Sequence, residues 1–196
     1  MEVDLRRLQR QAAEGADRQL EARRLTRRVA VIGNAGSGKT TLARALARRL
    51  GVPHVELDAL FWNSGWVETP AEEFRRRVEA VLDDDEGWVA DGNYRTRLGS
   101  VILDRAELVV WTDPPLPILL TRLARRTVRR ARTQEQLWGT NVDTWRSAFM
   151  SRESVLLFAL KAHRRWRPRG TEIAAHWPVV RLRSRSDVER FLADVG

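Results

Sequence analysis

Residues 33–40 read Gly33-Asn34-Ala35-Gly36-Ser37-Gly38-Lys39-Thr40, and the rest of the sequence is interpreted outward from them. The run fits the pattern G-x-x-x-x-G-K-[ST], a phosphate-binding P-loop in which successive backbone N–H groups surround phosphate groups. The lysine of the pattern reaches the terminal phosphates, and the final hydroxyl group meets magnesium. We therefore expect residues 33–41, ending at Thr41, to bind a nucleotide, with Thr40 as a magnesium ligand.

The sequences on both sides of this loop support the motif. Residues 28–32 form a short β-branched run that is typical of a buried parallel strand. Residues 41–50 favour a helix with leucines on one side, and Gly51 and Pro53 end it. Strand, glycine-rich loop and helix follow each other in the order that the motif requires.

Composition places the chain among ordinary globular proteins. Its 196 residues are 43% apolar and 31% charged, which suits one domain of ordinary core size. No apolar run approaches the ~20 residues of a membrane span, and no signal peptide is visible, so we expect a cytoplasmic protein without a membrane partner. The absence of cysteine excludes disulfides and cysteine-based zinc sites.

The formal charge of +9 indicates an anionic partner. A nucleic acid and a phosphate-rich small molecule both fit this charge. Only Lys39 and Lys161 are lysines, so 33 of the 35 basic residues are arginine, a skew that a GC-rich coding sequence also produces. Charge alone does not choose between a nucleotide and a polynucleotide.

Further strands and helices alternate along the chain. We predict strands at residues 54–58, 87–92, 108–111 and 179–182, a loop at residues 60–66, and helices after Pro70, Pro115 and Ser154. Thr69 with Glu72, and Ser186 with Glu189, fit capping boxes at two helix starts. Alternation predicts an α/β fold, the three-layer P-loop NTPase arrangement with a central parallel sheet of about five strands.

Domain organisation follows from these elements. Residues 1–27 are predicted to form a charged helical extension, and residues 28–196 the P-loop domain. Within that domain we expect an acceptor-binding insertion at about residues 59–86 and a lid at about residues 122–150. The three histidines show no ligand-like spacing, so we interpret them as structural or surface residues.

Two acids follow predicted strands. Asp91 ends an apolar run, which is the Walker-B pattern of a carboxylate that holds magnesium, usually through water. Asp58 ends the second predicted strand, and ligands of open parallel sheets lie beyond the carboxyl ends of strands. The alternative for Asp91 is a plain Asp-Gly turn.

Five arginines fall within one arc of a helix, at positions 122, 125, 126, 129 and 130. Like charges so close together repel each other unless an anion offsets them. They suit a lid that closes over phosphates, with Arg122 and Arg126 nearest the sheet and therefore the expected catalytic pair beside Lys39, Asp58 and Asp91. The alternative is a solvated basic face in an arginine-rich protein.

The stretch Asp91-Gly92-Asn93-Tyr94-Arg95 carries a family resemblance. Adenylate kinases have Asp-Gly-Phe-Pro-Arg at this place, so the chain resembles the P-loop kinases related to nucleoside monophosphate kinases. Together with the Leu57-Asp58-x-Leu60-x-Trp62 segment, it resembles more closely the bacterial adenylate-kinase-related proteins named DNA topology modulation proteins. The resemblance implies phosphoryl transfer from ATP with Mg²⁺, mostly by positioning and cationic stabilisation.

The resemblance leaves two acceptors open. Asp58 corresponds to the acid that shikimate kinases and related enzymes place beside an acceptor alcohol, such as a nucleoside. Arg95 and the lid arginines could instead clamp a nucleoside monophosphate. We expect Asn93 and Tyr94 on the acceptor side, together with Trp62 and Trp66, which either stack on the acceptor or pack as ordinary aromatics.

A second function class is a nucleotide-regulated DNA-binding protein with little kinase turnover. The basic charge and the arginines between residues 164 and 169 favour it, whereas no DNA-binding module is legible in the sequence. The adenine of ATP is expected near residues 183–187, after the fifth strand.

Overall fold

A computed structural model describes residues 26–83, 86–134, 136–138, 141–142 and 155–195. The strands are β1 (Arg28–Gly33), β2 (His54–Glu56), β3 (Trp62–Asn63), β4 (Val67–Glu68), β5 (Trp88–Asp91), β6 (Leu108–Thr112), β7 (Gln136–Leu137), β8 (Asn141–Val142) and β9 (Val179–Leu182). The helices are α1 (Lys39–Leu50), α2 (Leu57–Phe61), α3 (Ala71–Leu82), α4 (Arg95–Leu98), α5 (Val101–Arg105), α6 (Leu116–Thr133), α7 (Val155–His176) and α8 (Arg185–Asp194).

Five strands form the central sheet in the order β2-β5-β1-β6-β9, and every neighbouring pair is parallel. Alternate residues of a strand point to opposite faces, so β1 is buried on both sides. Val29 and Val31 pack against α1 and α8. Ala30 and Ile32 pack on the other face, which α5 and α7 cover. The predicted three-layer α/β architecture is confirmed.

The structure corrects the second predicted strand and the loop that follows it. β2 ends at Glu56, and Asp58 lies in the short helix α2 because Leu57 and Phe61, four residues apart, turn into the same apolar cluster. The predicted loop at residues 60–66 contains the end of α2 and strand β3, which pairs antiparallel with β4. The burial of Leu57 and Phe61 decides this local structure. The apolar residues of this stretch have no regular period in the sequence, so the helix was not predicted.

Both predicted capping boxes are also wrong. The Thr69 hydroxyl donates to the carbonyls of Leu60 and Phe61, at 3.1 and 2.8 Å, because these buried carbonyls need donors, and α3 has no side-chain cap. At α8 the box is Ser184 with Asp187. Backbone N–H groups of Arg183 and Ser184 lower the pKa of Asp187 to about 2.

The chain enters the sheet at the end opposite the P-loop. The N–H groups of Arg27 and Arg28 donate to the Glu107 carboxylate at 2.7 and 3.0 Å, and the Arg27 carbonyl accepts from Trp88 N–H at 2.8 Å. Some residues of the predicted segments lie outside the described residues: 1–25 of the extension, 84–85 of the acceptor-binding insertion, and 135, 139–140 and 143–150 of the lid. In the described part of the chain, no helix is long and apolar enough to span a membrane.

Gly170 gives a test of how α7 packs on the sheet. A Cβ at this buried position would lie 2.4 Å from the Trp111 indole. Replacing glycine by alanine inside a helix normally adds roughly 0.5–1 kcal/mol of stability. Here we expect Gly170→Ala to lower the free energy of unfolding by about 1–3 kcal/mol, the usual cost of overpacking. Urea denaturation measures the change.

Thr171 is the matched control, since it is exposed on the same helix. Thr171→Ala should change the free energy of unfolding by less than about 0.5 kcal/mol. A stabilised Gly170→Ala protein would mean that α7 does not approach Trp111 as described.

Candidate active site

The P-loop begins at Gly33, whose backbone is held on two sides. Asn93 binds both of its polar groups: Gly33 N–H donates to Asn93 Oδ1 at 3.2 Å, and Asn93 Nδ2 donates to the Gly33 carbonyl at 2.5 Å. A Cβ on Gly33 would lie 2.2 Å from Thr112 Oγ1, so only glycine fits there. The Thr112 hydroxyl also contacts Ser37 Oγ at 2.7 Å and donates to the Ile32 carbonyl at 3.1 Å.

Thr40 and Asp91 meet at the start of α1. Gly38 caps that helix with a left-handed backbone, φ 93°, and Thr40 Oγ1 donates to Asp91 Oδ2 at 2.6 Å. His54 Nε2 lies 2.8 Å from the other oxygen of Asp91, which is almost fully buried. A hydroxyl and a carboxylate are the hard oxygen donors that suit Mg²⁺, and few protein ligands are needed when phosphates and water supply the rest.

These residues open into a pocket of about 730 Å³, which we call the P-loop pocket. Its lining includes Lys39, Thr40 and Asp58 together with all five predicted lid arginines of α6, namely Arg122, Arg125, Arg126, Arg129 and Arg130. Among the described residues that line it, Arg44 brings the basic side chains to seven, against the two acids Glu56 and Asp58. The net positive potential of the pocket favours a polyphosphate.

Arg122 contacts the P-loop directly. Its Nη1 donates to the Ser37 carbonyl at 3.2 Å, and the same nitrogen lies 3.3 Å from where a Cβ on Gly38 would be. α6 therefore approaches the loop closely enough for a guanidinium group to stand beside bound phosphates.

Asp58 lines the P-loop pocket and is held from behind by Tyr94. The Tyr94 hydroxyl donates to Asp58 Oδ1 at 2.6 Å. Burial, followed by the negative charge of Asp58, raises the pKa of Tyr94 far above its ordinary value, so the hydroxyl keeps its proton and stays a donor. A carboxylate has a second oxygen that can accept a proton from a substrate hydroxyl.

Arg95 lies in a different place. It lines a second cavity of about 400 Å³, the Arg95 cavity, between the sheet and α4, α5 and α7, and it is absent from the lining of the P-loop pocket as described. Arg95 Nη2 lies 2.8 Å from Glu172 and lowers the pKa of that carboxyl. Asn93 and Tyr94 line this cavity too, with Trp166 and Arg169 of α7. The two predicted acceptor signals, Asp58 and Arg95, are therefore separated.

Trp62 and Trp66 pack against each other. Their rings are 5.5 Å apart at 80°, and Trp66 makes a similar contact with Trp138, 5.9 Å apart at 82°. Within the described residues, neither lines the P-loop pocket or the Arg95 cavity. These are the contacts of ordinary aromatic packing, and stacking of Trp62 or Trp66 on an acceptor stays a prediction.

Two residues of the site were missed by the interpretation of the sequence. His54, interpreted as structural or surface, contacts Asp91, and Thr112 supports the P-loop from the end of β6. Both act across neighbouring strands, and strand order cannot be read from the chain. The apolar run at residues 108–111, which predicted a strand ending just before Thr112, was the available signal for that residue.

Comparison with known proteins agrees with this geometry. A family profile described as AAA domain matches residues 29–143, more than half of the chain. Shikimate kinase from Gloeobacter violaceus is 39% identical over 107 residues, covering 47% of this chain and 59% of that enzyme. Cytidylate kinase from Thermococcus sibiricus is 31% identical over 114 residues, covering 50% of this chain and 56% of that enzyme. The chain thus spans less than two thirds of either relative.

Solved structures extend the likeness over most of the chain. The crystal structure of a gluconokinase from Sinorhizobium meliloti 1021 has a TM-score of 0.54 at 19% identity, covering 88% of this chain and 93% of that one. At this identity the likeness shows a shared fold. With the P-loop, the parallel sheet and the kinase relatives together, the chain belongs to the family that the AAA domain profile describes and to the P-loop kinases related to nucleoside monophosphate kinases.

Proposed function

We propose that this protein transfers the γ-phosphoryl group of ATP to a hydroxyl group of a small acceptor. The observation that carries the proposal is the position of Asp58, which lines the same pocket as Lys39 and Thr40, whereas Arg95 lines the other cavity. A carboxylate beside the donor phosphates is the group that an alcohol acceptor needs as a base. Shikimate and gluconate, the acceptors in the names of two similar kinases, are both alcohols.

The proposed reaction uses this chain's residues mainly for positioning. Lys39 and backbone N–H groups of the P-loop hold the ATP phosphates at the N-terminus of α1. Magnesium, held by Thr40 and through water by Asp91, would neutralise charge on the β- and γ-phosphates. Arg122 and Arg126 face the same space and stabilise charge on the transferred group.

Asp58 completes the step. Its carboxylate accepts the proton of the acceptor hydroxyl as that oxygen bonds to the γ-phosphorus, and the bond from phosphorus to the bridging β-γ oxygen breaks to release ADP. Tyr94 orients the base because its hydroxyl occupies Oδ1 at 2.6 Å and leaves Oδ2 for the acceptor. After the transfer, Asp58 releases this proton to water, which restores its carboxylate for the next turnover.

A nucleoside monophosphate is the second candidate acceptor. The Arg95 cavity brings two guanidinium groups, Arg95 and Arg169, beside a largely apolar space of about 400 Å³, which suits a phosphate attached to a ring. Cytidylate kinases are among the similar proteins. In this case Arg95 must leave Glu172 when the phosphate binds.

Lys39 and Asp91 give the first test of the nucleotide site. We expect Lys39→Ala to weaken binding of Mg-ATP by roughly 10- to 100-fold, because a charge-assisted contact to phosphate is lost. Asp91→Asn should reduce turnover more than it weakens ATP binding, because the Asp91 carboxylate acts on the reaction through magnesium. Calorimetry measures binding, and ADP release measures turnover. Unchanged values in both variants would contradict the site assignment.

Asp58 and Arg95 distinguish the two acceptors. ADP release is measured with a panel of shikimate, gluconate, nucleosides and nucleoside monophosphates. With an alcohol, Asp58→Asn should lower kcat by roughly 10²- to 10⁴-fold and Arg95→Ala should leave it nearly unchanged. The reverse order, with a raised KM for a monophosphate in Arg95→Ala, would favour the second candidate. No turnover on the whole panel would contradict kinase function and leave a nucleotide-regulated DNA-binding protein, which a salt-dependent gel shift detects.

A further inference from the structure

A buried asparagine joins two hairpins, one that follows α2 and one that follows α6. The acceptor-side hairpin consists of β3, β4 and their turn, residues 62–68, and the lid hairpin consists of the described residues 136–138 and 141–142, which include β7 and β8. Asn141 is 1% exposed. Its Oδ1 accepts from Trp66 N–H at 2.7 Å, and its Nδ2 donates to the carbonyls of Asn63 at 3.0 Å and Trp138 at 3.2 Å.

These three hydrogen bonds need both hairpins in place. A carboxamide carries donors and acceptors that are costly to bury without partners. Two of its three partners, Trp66 and Asn63, belong to the acceptor-side hairpin, more than seventy positions away in the chain. Burial of Asn141 is therefore favourable only while the hairpins are docked.

The backbone at the junction adds an independent observation. Trp66 and Trp138 have left-handed backbones, with φ of 58° and 41°, although each carries a large side chain. This conformation is disfavoured for residues with a Cβ and persists where surrounding contacts fix it. Asn141 binds the N–H of one of these residues and the carbonyl of the other, and their indole rings meet edge to face at 5.9 Å.

Each hairpin also reaches the reacting groups. Leu137 and Trp138 line the P-loop pocket beside the arginines of α6, which leads directly into the lid hairpin. On the other side, Trp62 packs on Phe61, and Phe61 packs on Tyr94 at 4.7 Å, the residue that binds Asp58. The docked hairpins therefore connect the phosphate side of the pocket with the proposed base.

We propose that Asn141 is a positioning residue, a latch that couples closure of the arginine lid over ATP to the acceptor-side hairpin. The proposal rests on the proposed binding of ATP in the P-loop pocket. When phosphates hold α6 and the lid hairpin in place, Asn141 fixes residues 62–68 and with them the aromatic contacts behind Asp58. Loss of the latch separates nucleotide binding from ordering of the acceptor side.

The test is hydrogen exchange with and without magnesium and AMPPNP, a non-hydrolysable ATP analogue. In the wild-type protein, we expect residues 33–41 and the acceptor-side hairpin to gain protection together. Asn141→Ala should keep the protection at residues 33–41 and lose it at residues 62–68. The AMPPNP dissociation constant should rise roughly tenfold, the loss expected for a few buried hydrogen bonds. Asn141→Asp should behave the same way, because a carboxylate oxygen would face the Asn63 and Trp138 carbonyls.

Val67→Thr is the control, since Val67 is exposed on β4 and keeps a β-branched shape. It should leave affinity and protection unchanged. A variant at position 141 that melts earlier but binds AMPPNP and protects residues 62–68 as the wild type does would reduce Asn141 to a structural role and overturn the latch. If both variants fail to fold, the wild-type protein alone decides. The latch is then overturned if AMPPNP protects residues 62–68 without protecting residues 33–41, or protects residues 33–41 without protecting residues 62–68. Failure of wild-type protein to bind AMPPNP would instead refute the proposed function.

Discussion

The contacts of the Gly33 backbone with Asn93 and Thr112 hold the P-loop in place on the central sheet. Within the P-loop, the Ala35 and Ser37 N–H groups bind Asn34. N–H groups that face phosphates cannot also bind neighbours in the loop, so the rest of its shape is held by contacts from outside. Asn93 from the end of β5 and Thr112 from the end of β6 do this from the two flanking strands. The order β5-β1-β6 at the centre of the sheet is therefore a requirement of the loop as well as a way of burying β1.

The sequence predicted what depends on local pattern. The strand before the loop, the helix after it and the alternation of strands and helices follow from apolar spacing and glycine positions, and the structure confirms them. The arginine arc was also predictable, because five side chains of one helix share a face by helical geometry alone. Each of these features is determined by residues that lie within about twenty positions of each other in the chain.

What the sequence did not predict depends on contacts between distant segments. His54 reaches Asp91 because β2 lies beside β5, and Thr69 serves buried carbonyls of α2 rather than the start of α3. The separation of Asp58 from Arg95 is of the same kind: Asp58 faces one pocket while Arg95, just beyond β5, faces another. A residue's neighbours in the chain do not reveal which pocket its side chain will line in the folded protein.

The hydrogen bonds of the Arg27 and Arg28 N–H groups to Glu107 fix the start of β1 at one end of the sheet. β1 has six residues at roughly 3.3 Å each, so its first residue stands roughly 17 Å from the loop at its other end. Residues 26–28 therefore lie at the end of the sheet away from the nucleotide edge. A label on the exposed side chain of Arg27 would leave the P-loop pocket open to solution and would not compete with ATP.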